Sequence, residues 1–492
     1  MKDLKEKTIR GGFASIAGTG ANFAVGIVSL TVMARLLGPA DYGLVGMVTA
    51  FTGILGMFRD FGLSAAAVQR LSITDEEASA LFWINMLAGT GLAVLAVAMA
   101  PAIAAFYHDR RLVAVTVVTA AGFILNSAGI QHGAHIRRHM RFTVLSVIGV
   151  VSSIMSTAIG IGAAWAGFGY WALVAMNMTG PLVTTIGCWI VASWVPGLPR
   201  RVAGVRSIIR FGGTLTLNGL VAYAAYNIEK VLLGRFWGAA ALGIYGRAYR
   251  LINLPTENLN SAAGEVTFSA LSRLQEQPGR LRSYFLKAYS LILALTLPIT
   301  VAFAFFSDDV ILVLLGPKWT AAAPILRLLA PTILVFALIN PVAWLMYSVG
   351  LVGRSLKLAF VFAPIIIAGY VVGLPYGPKG VALCFSAVMV LCAIPLTAFC
   401  VRGTPVSLRD IVLTSARPMG SAIVAGALAC EVRMACGHLL PPFPRLTVEC
   451  SVVLVAFAVV LLFVAGQKSL YLDLLRGLIG RSSVEEKSFV SA

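Results

Sequence analysis

Charged and polar side chains interrupt an otherwise apolar stretch of the chain between residues 241 and 270. Because a helix turns by about 100° per residue, six of these side chains fall within an arc of roughly 100°. They are Arg247, Arg250, Glu257, Asn258, Ser261 and Glu265. Guanidinium groups bind phosphates, and carboxylates inside membranes relay protons or pair with cations. The spacing therefore predicts one wall of a wet, charged cavity, on a helix that Pro255 kinks in its middle.

Other charged residues inside apolar stretches extend the candidate site. The candidate substrate-binding residues are Arg247, Arg250, Glu257, Asn258, Glu265, Lys230 and Arg59. The acidic candidates for binding a proton or cation are Glu257, Glu265, Glu229 and Asp60. Two alternatives stay open: Lys230 and Arg59 snorkel to the membrane surface, or the charged helix is an interfacial or purely structural ion-pair helix. Arg59 and Asp60 are adjacent, so they cannot share one helix face.

The sequence contains no motif for covalent chemistry. P-loop, HExxH and GxSxG patterns are absent, so no enzyme activity, cofactor or metal site is expected. The seven cysteines form no CxxC pattern, and a disulfide among Cys430, Cys436 and Cys450 stays open. The net charge is +18, but the basic residues are spread between apolar stretches, so nucleic-acid binding is not expected.

The elements that must carry these residues are membrane-spanning helices. Of the 492 residues, 59% are hydrophobic and only 12% charged, with a mean hydropathy of +0.89. A span needs about 20 apolar residues, and long continuous runs favour helices over barrel strands. The first run is too long for a signal peptide. We predict about fourteen spans, near 11–33, 42–66, 79–105, 111–131, 143–164, 169–193, 208–233, 241–270, 281–306, 322–348, 355–373, 379–401, 411–432 and 446–466.

The distribution of basic residues predicts the orientation. With both termini in the cytoplasm, 25 of the 38 Lys and Arg residues fall on the inner side and eight on the outer side. One inner segment, between the fourth and fifth spans, is rich in basic residues: His132, His135, Arg137, Arg138, His139 and Arg141. A topology signal explains this cluster, and a contact with lipid headgroups is the alternative.

The sequence repeats itself at an offset of 200 residues. Residues 9–46 and 209–246 share nine identities, and both contain the pattern R-x-x-G-x-A-x-x-G-x-x-G. Six spans separate the two copies, so the repeat is parallel. We therefore predict an all-α integral membrane fold with two six-helix lobes around a central cavity, plus two C-terminal helices. The predicted domains are 1–200, 201–403, 404–470 and a cytoplasmic tail, 471–492.

Several segments resemble the bacterial polysaccharide transporter family of the multidrug/oligosaccharidyl-lipid/polysaccharide exporter superfamily. They are A-R-L-L-G-P-A-D-Y-G (34–43), F-G-L-S-A-A-A-V-Q-R (61–70), N-I-E-K-V-L-L-G-R (227–235), A-L-G-I-Y-G-R-A-Y-R (241–250), F-S-A-L-S-R-L-Q (268–275) and L-G-P-K-W-T-A-A-A-P-I-L-R-L-L-A (315–330). The resemblance runs from about residue 8 to residue 400, and the order and spacing of the segments make it specific.

The resemblance implies a transporter in the bacterial inner membrane. It implies alternating-access transfer of an undecaprenyl-diphosphate-linked oligosaccharide, or export of polysaccharide, for exopolysaccharide, capsule or O-antigen synthesis. It also implies contact with membrane lipids, a proton or sodium ion as coupling ion, and a polymerase or co-polymerase as partner. The alternatives are a peptidoglycan-precursor flippase, a drug/cation antiporter of the same superfamily and, from another class, a multispan glycan polymerase or ligase.

Overall fold

The computed structural model describes residues 2–59, 74–198, 205–351, 353–436, 440–469 and 471–472, and these residues contain helices and no strand. The helices are α1 (Lys2–Leu36), α2 (Pro39–Gly56), α3 (Asp75–Tyr107), α4 (Arg111–Arg138), α5 (Phe142–Trp165), α6 (Tyr170–Ala192), α7 (Val205–Arg273), α8 (Pro278–Phe305), α9 (Ser307–Leu314), α10 (Ala323–Ser348), α11 (Gly353–Gly373), α12 (Gly377–Val401), α13 (Leu408–Cys436) and α14 (Pro442–Val459). Short 3₁₀ turns cover Pro317–Ala322 and Leu374–Tyr376, and a π turn, Val460–Val464, extends α14.

The prediction of an all-helical membrane protein is confirmed. Within the described residues, ten helical stretches are long and apolar enough to cross a membrane. One of them, 357–401, contains two of the predicted spans. The predicted span 42–66 is not one continuous helix, because α2 ends at Gly56, where the N–H of Met57 donates to the carbonyl of Ile54 and that of Phe58 to the carbonyl of Leu55. Residues 60–66 of this span lie outside the described residues.

Two turns at equivalent positions of the repeat redirect the chain. Between α1 and α2, Gly38 is extended and its N–H donates to the side chain of Asp41 at 2.9 Å. At the equivalent position, Gly238 interrupts α7 with φ 77° and ψ −179°. Glycine adopts positive φ without the steric cost that other residues pay. The interruption separates the predicted spans 208–233 and 241–270.

The glycines that follow these turns pack backbone against backbone. A β-carbon at Gly43 would overlap the carbonyl oxygen of Ala239, and one at Gly243 would overlap the carbonyl oxygen of Pro39. The offset of 200 residues relates Gly43 to Gly243 and Pro39 to Ala239, so the contact is reciprocal. The lack of a side chain at these glycines permits this close approach between the helices.

The chain divides into two compact units. The first comprises 1–246, 314–318 and 359–381. Within it α3 packs on α4, α5 packs on α6 and α1, and α4 packs on α6. Small residues permit these contacts: Gly89 faces Ser127 of α4, and Gly129 faces Thr185 of α6.

The second unit comprises 247–313, 319–358 and 382–492. Its core lies around α8, which packs against α10, α13 and α14. Polar contacts fix α13 to both ends of α8. At one end Arg282 Nε donates to Asp410 Oδ2 at 2.8 Å, and at the other Arg433 donates to the carbonyl of Phe305 at 3.0 Å. The two C-terminal helices are therefore built into this unit.

Candidate functional site

The charged face of α7 holds an ion pair between Arg250 and Glu257. The Arg250 Nη1 atom lies 2.9 Å from Glu257 Oε2, and about half of each side chain is exposed (50% and 56%). Seven residues are close to two helical turns, so the two side chains rise from the same face. The predicted pairing of an arginine and a carboxylate on this face is present in the structure.

The opposite face of the same helix segment is buried. Ala248, Leu251 and Ile252 are almost fully covered, and the Tyr249 ring packs edge-on against Phe385. This difference between the two faces matches the predicted arc. A half-exposed ion pair is too costly to face hydrocarbon, so this face of α7 requires an aqueous environment.

The other predicted members of the arc are only partly described. Arg247 is half-buried and makes contacts of its own, and it precedes Arg250 by one helical turn. The side chains of Asn258, Ser261 and Glu265 lie outside the described residues, although their positions belong to α7. Their predicted membership of the site stays a prediction.

Glu229 and Lys230 are neighbours in α7 with contrasting surroundings. Only 1% of Glu229 is exposed, and neither carboxylate oxygen has a hydrogen-bond partner among the described residues. Lys230 is half-buried, and its Nζ donates to Asn227 Oδ1 at 2.6 Å. Asn227 in turn donates to the carbonyl of Tyr223 at 2.9 Å. Lys230 is thus held along its own helix, whereas the Glu229 carboxylate is enclosed.

Arg59 lies in a turn beyond the end of α2. Its N–H bonds to the carbonyl of Gly56 at 3.2 Å. The prediction that Arg59 belongs to a continuing helix is therefore wrong, because α2 ends at Gly56. Asp60 lies outside the described residues. Their predicted membership of the site stays a prediction.

Sequence reasoning missed a cluster of charges in the second unit. Asp309, only 1% exposed, accepts from Arg445 Nε at 3.1 Å and lies 3.6 Å from Arg433. Arg433 also lies 3.8 Å from the buried Glu449. Beside them, Arg327 pairs with the exposed Asp308 at 2.6 Å. Asp308 and Asp309, two adjacent acids after α8, were the signal in the sequence that pointed to this cluster. The partners of Asp309 come from a distant part of the chain.

Thiols and metal-binding groups add no chemistry within the described residues. Cys430 and Cys450 are free thiols, and the side chain of Cys436 lies outside that part of the chain. Among the described residues, no three His, Cys, Asp or Glu side chains are placed to hold a metal ion.

Comparison with known proteins identifies the family. The family described as polysaccharide biosynthesis protein matches residues 32–324, more than half of the chain. The chain belongs to this polysaccharide biosynthesis protein family. The match includes α2, the charged face of α7 and the reciprocal glycine contact.

Curated relatives have names from surface-polysaccharide synthesis. The teichuronic acid biosynthesis protein TuaB of Bacillus subtilis is 29% identical over 57% of this chain, and the alignment covers 59% of TuaB. The lipopolysaccharide biosynthesis protein WzxC of Escherichia coli is 26% identical over 79% of this chain and 80% of WzxC. The succinoglycan biosynthesis transport protein ExoT of Rhizobium meliloti is 24% identical over 67% of this chain and 66% of ExoT.

Two solved structures share the fold. The lipid II flippase MurJ, in an inward closed conformation, superposes with a TM-score of 0.75 over 95% of this chain and 100% of MurJ, at 12% identity. An inward-facing multidrug resistance transporter of the MATE family gives 0.64 over 82% of this chain and 99% of its own, at 14% identity. At these identities the likeness concerns the fold.

Proposed function

We propose that the protein flips a lipid-linked oligosaccharide, carried on undecaprenyl diphosphate, across the bacterial inner membrane for surface-polysaccharide synthesis. The observation that carries this proposal is the exposed Arg250–Glu257 pair on a helix of a membrane protein. The family match and the names of the relatives support the same substrate class. Transport of this kind forms no covalent intermediate with the protein.

The chemistry of the substrate explains the need for such a face. A diphosphate-sugar headgroup is anionic and strongly hydrated, so hydrocarbon excludes it. Arg247 and Arg250 would replace hydration water at the phosphates with charge-assisted hydrogen bonds. Glu257, already paired with Arg250 at 2.9 Å, would release that arginine when a phosphate competes for it. Asn258, Glu265, Lys230 and Arg59 complete the proposed set.

The coupling ion is proposed to be a proton or a sodium ion. Glu229 is the favoured binding group, because its buried carboxylate lacks a hydrogen-bond partner among the described residues. A bound cation would satisfy that carboxylate. Glu257, Glu265 and Asp60 are the further candidates.

The proposed architecture has fourteen spans with both termini in the cytoplasm. Two lobes, 1–200 and 201–403, related by the repeat, would alternate around a central cavity, and 404–470 would add two helices before the tail, 471–492. A polymerase or co-polymerase would receive the flipped oligosaccharide.

Flipping in proteoliposomes tests the proposal. The Arg247→Ala/Arg250→Ala double variant should slow headgroup translocation at least tenfold, because two phosphate ligands are lost. A loss of about 1.4 kcal/mol in substrate binding is enough for this. The control is Arg111→Ala, which removes a similarly exposed arginine paired with Asp109 at 2.7 Å on a different helix.

The outcomes separate the proposal from its alternatives. Slow flipping in the double variant with normal flipping in the control supports it, provided both variants keep the wild-type elution profile. Unchanged flipping in the double variant would remove the arginines from the mechanism. Transport of a cationic drug without headgroup translocation would indicate an antiporter instead.

A further inference from the structure

Three tryptophans at the ends of α3 and α6 form an aromatic shelf, consisting of Trp83, Trp189 and Trp194. The indole N–H of Trp83 donates to the carbonyl of Gly197 at 2.8 Å. The indole N–H of Trp189 donates to the carbonyl of Ala128 in α4, also at 2.8 Å. Trp83 and Trp189 nevertheless keep more than a third of their surface exposed. Their orientation is therefore fixed while part of each ring stays exposed.

Two histidines of α4 hold the aromatic shelf together. The buried His132 ring stacks on Trp189 with 4.2 Å between centroids, and its Nε2 lies 3.2 Å from the Trp194 carbonyl. His135 lies parallel to the Trp194 ring at 6.3 Å. One side of the shelf thus joins directly to the end of α4.

A basic patch follows on the same chain segment and consists of Arg137, Arg138, His139 and Arg141. Three of its members are exposed, and Arg138 is half-buried. Arg141 donates to the carbonyl of Val191, in the helix that carries Trp189, at 3.2 Å. Asp75, Glu76 and Glu77 form the first turn of α3, and Arg138 makes contacts of its own. The exposed Arg137 and Arg141 therefore supply the accessible positive charge beside the aromatic shelf.

We infer that the aromatic shelf and the basic patch form a binding site for the phosphodiester headgroup of an anionic phospholipid in the cytoplasmic leaflet. Tryptophan rings settle at headgroup depth, where their apolar faces and polar edges both find partners. Basic side chains next to them attract anionic lipid from that leaflet. The inference uses the proposed orientation of the chain and does not depend on the flipping activity.

The arrangement of the aromatic shelf and the basic patch goes beyond what a topology signal requires. A topology signal needs only charge, whereas here the rings beside the charge are locked by two indole hydrogen bonds and a stacked, buried histidine. Rings that are already held in place lose little entropy when a headgroup binds. A lipid that fills such a site stays bound when bulk lipid is exchanged.

Native mass spectrometry of the full chain in neutral detergent, titrated with phosphatidylglycerol, tests the site. The Arg137→Gln/Arg138→Gln/Arg141→Gln variant should bind the first phosphatidylglycerol about a hundredfold more weakly than the wild type. The matched control is Arg280→Gln/Arg402→Gln/Arg409→Gln, which removes the same charge from other exposed positions on the proposed cytoplasmic side. It should retain the wild-type affinity.

Each outcome decides the inference. Equal weakening in the control would overturn it, because binding would then follow total charge. A second arm uses undecaprenyl phosphate, and selective loss of that ligand with intact phosphatidylglycerol binding would assign the patch to substrate instead. If the triple variant fails to fold, Arg137→Gln/Arg138→Gln keeps the Arg141–Val191 contact and should show about a thirtyfold loss. Wild-type affinity in that folded double variant would also overturn the inference.

Discussion

At the scale of single residues, two carboxylates on α7 differ in their surroundings, and we propose different roles for them. Glu257 is half exposed and paired, whereas Glu229 is enclosed without a hydrogen-bond partner among the described residues. An exposed ion pair contributes about 1 kcal/mol or less to stability. A buried carboxylate without a partner destabilises the fold, and its retention points to function.

The substitution Glu229→Gln tests that assignment. An amide of the same shape removes the buried charge, so the thermal midpoint should stay the same or rise. Transport in proteoliposomes should lose its dependence on the proton or sodium gradient. The comparison variant is Glu449→Gln, another buried acid, which lies 3.8 Å from Arg433 and should lower the midpoint without changing gradient dependence. Unaltered gradient dependence in Glu229→Gln would exclude this residue.

At the scale of helices, the reciprocal glycine contact gives the repeat a physical meaning. Sequence alone identified Gly43 and Gly243 as equivalent positions of the repeat. It could not predict that the two would meet each other's turns, because that depends on how distant helices are arranged. The α2 edge was missed for a local reason: an apolar run continues past the point where the chain turns at Gly56.

Two alanine substitutions in α7 should change stability in opposite directions, and together they test the glycine contact. Gly243→Ala should destabilise the protein by about 1–3 kcal/mol, since its β-carbon would overlap the carbonyl of Pro39. Gly246→Ala, one turn further, meets nothing within 4 Å and should stabilise it by up to about 1 kcal/mol through helix propensity. Thermal unfolding in detergent measures both. Equal midpoints for the two variants would contradict the contact.

The C-terminal helices depend on the charge cluster around Asp309. Arg445→Ala should lower stability by about 3 kcal/mol, because it leaves a buried carboxylate without its main partner while Arg433 stays 3.6 Å away. Arg327→Ala breaks an exposed pair and should cost about 1 kcal/mol or less. The same unfolding assay compares them. If Arg327→Ala proved the more damaging, the assigned burial of Asp309 would be wrong.

This cluster also marks the limit of what the sequence could predict at the element scale. The arginine and the aspartate that pair are 136 residues apart. Each lies outside the predicted spans, but no periodicity in the sequence relates the arginine to the aspartate. Periodicity within one helix, by contrast, was enough to place Arg250 and Glu257 on one face.

At the scale of the whole molecule, composition was sufficient to predict the class of fold. Long apolar runs require helices in lipid, because the backbone must satisfy its own hydrogen bonds there. The number of spans was harder to establish, because α7 joins two predicted spans through a single non-helical glycine. Charge counting then predicts the side of the membrane on which each segment between spans lies.

Reporter fusions test the proposed topology. A fluorescent protein that folds only in the cytoplasm should fluoresce when fused after residue 492. An alkaline phosphatase fusion after residue 438, in the proposed outer segment, should be active. The reverse pattern at either site would contradict the positive-inside assignment and an even number of spans.

The central claim is that the protein transfers a lipid-linked oligosaccharide to the outer leaflet. Deletion of its gene, followed by mass spectrometry of membrane lipids and an assay of surface polysaccharide, tests this most directly. We expect surface polysaccharide to disappear while the undecaprenyl-diphosphate-linked repeat unit accumulates on the cytoplasmic leaflet, and we expect the wild-type gene to reverse both changes. Loss of polysaccharide without accumulation of the linked repeat unit, or accumulation on the outer leaflet, would contradict it.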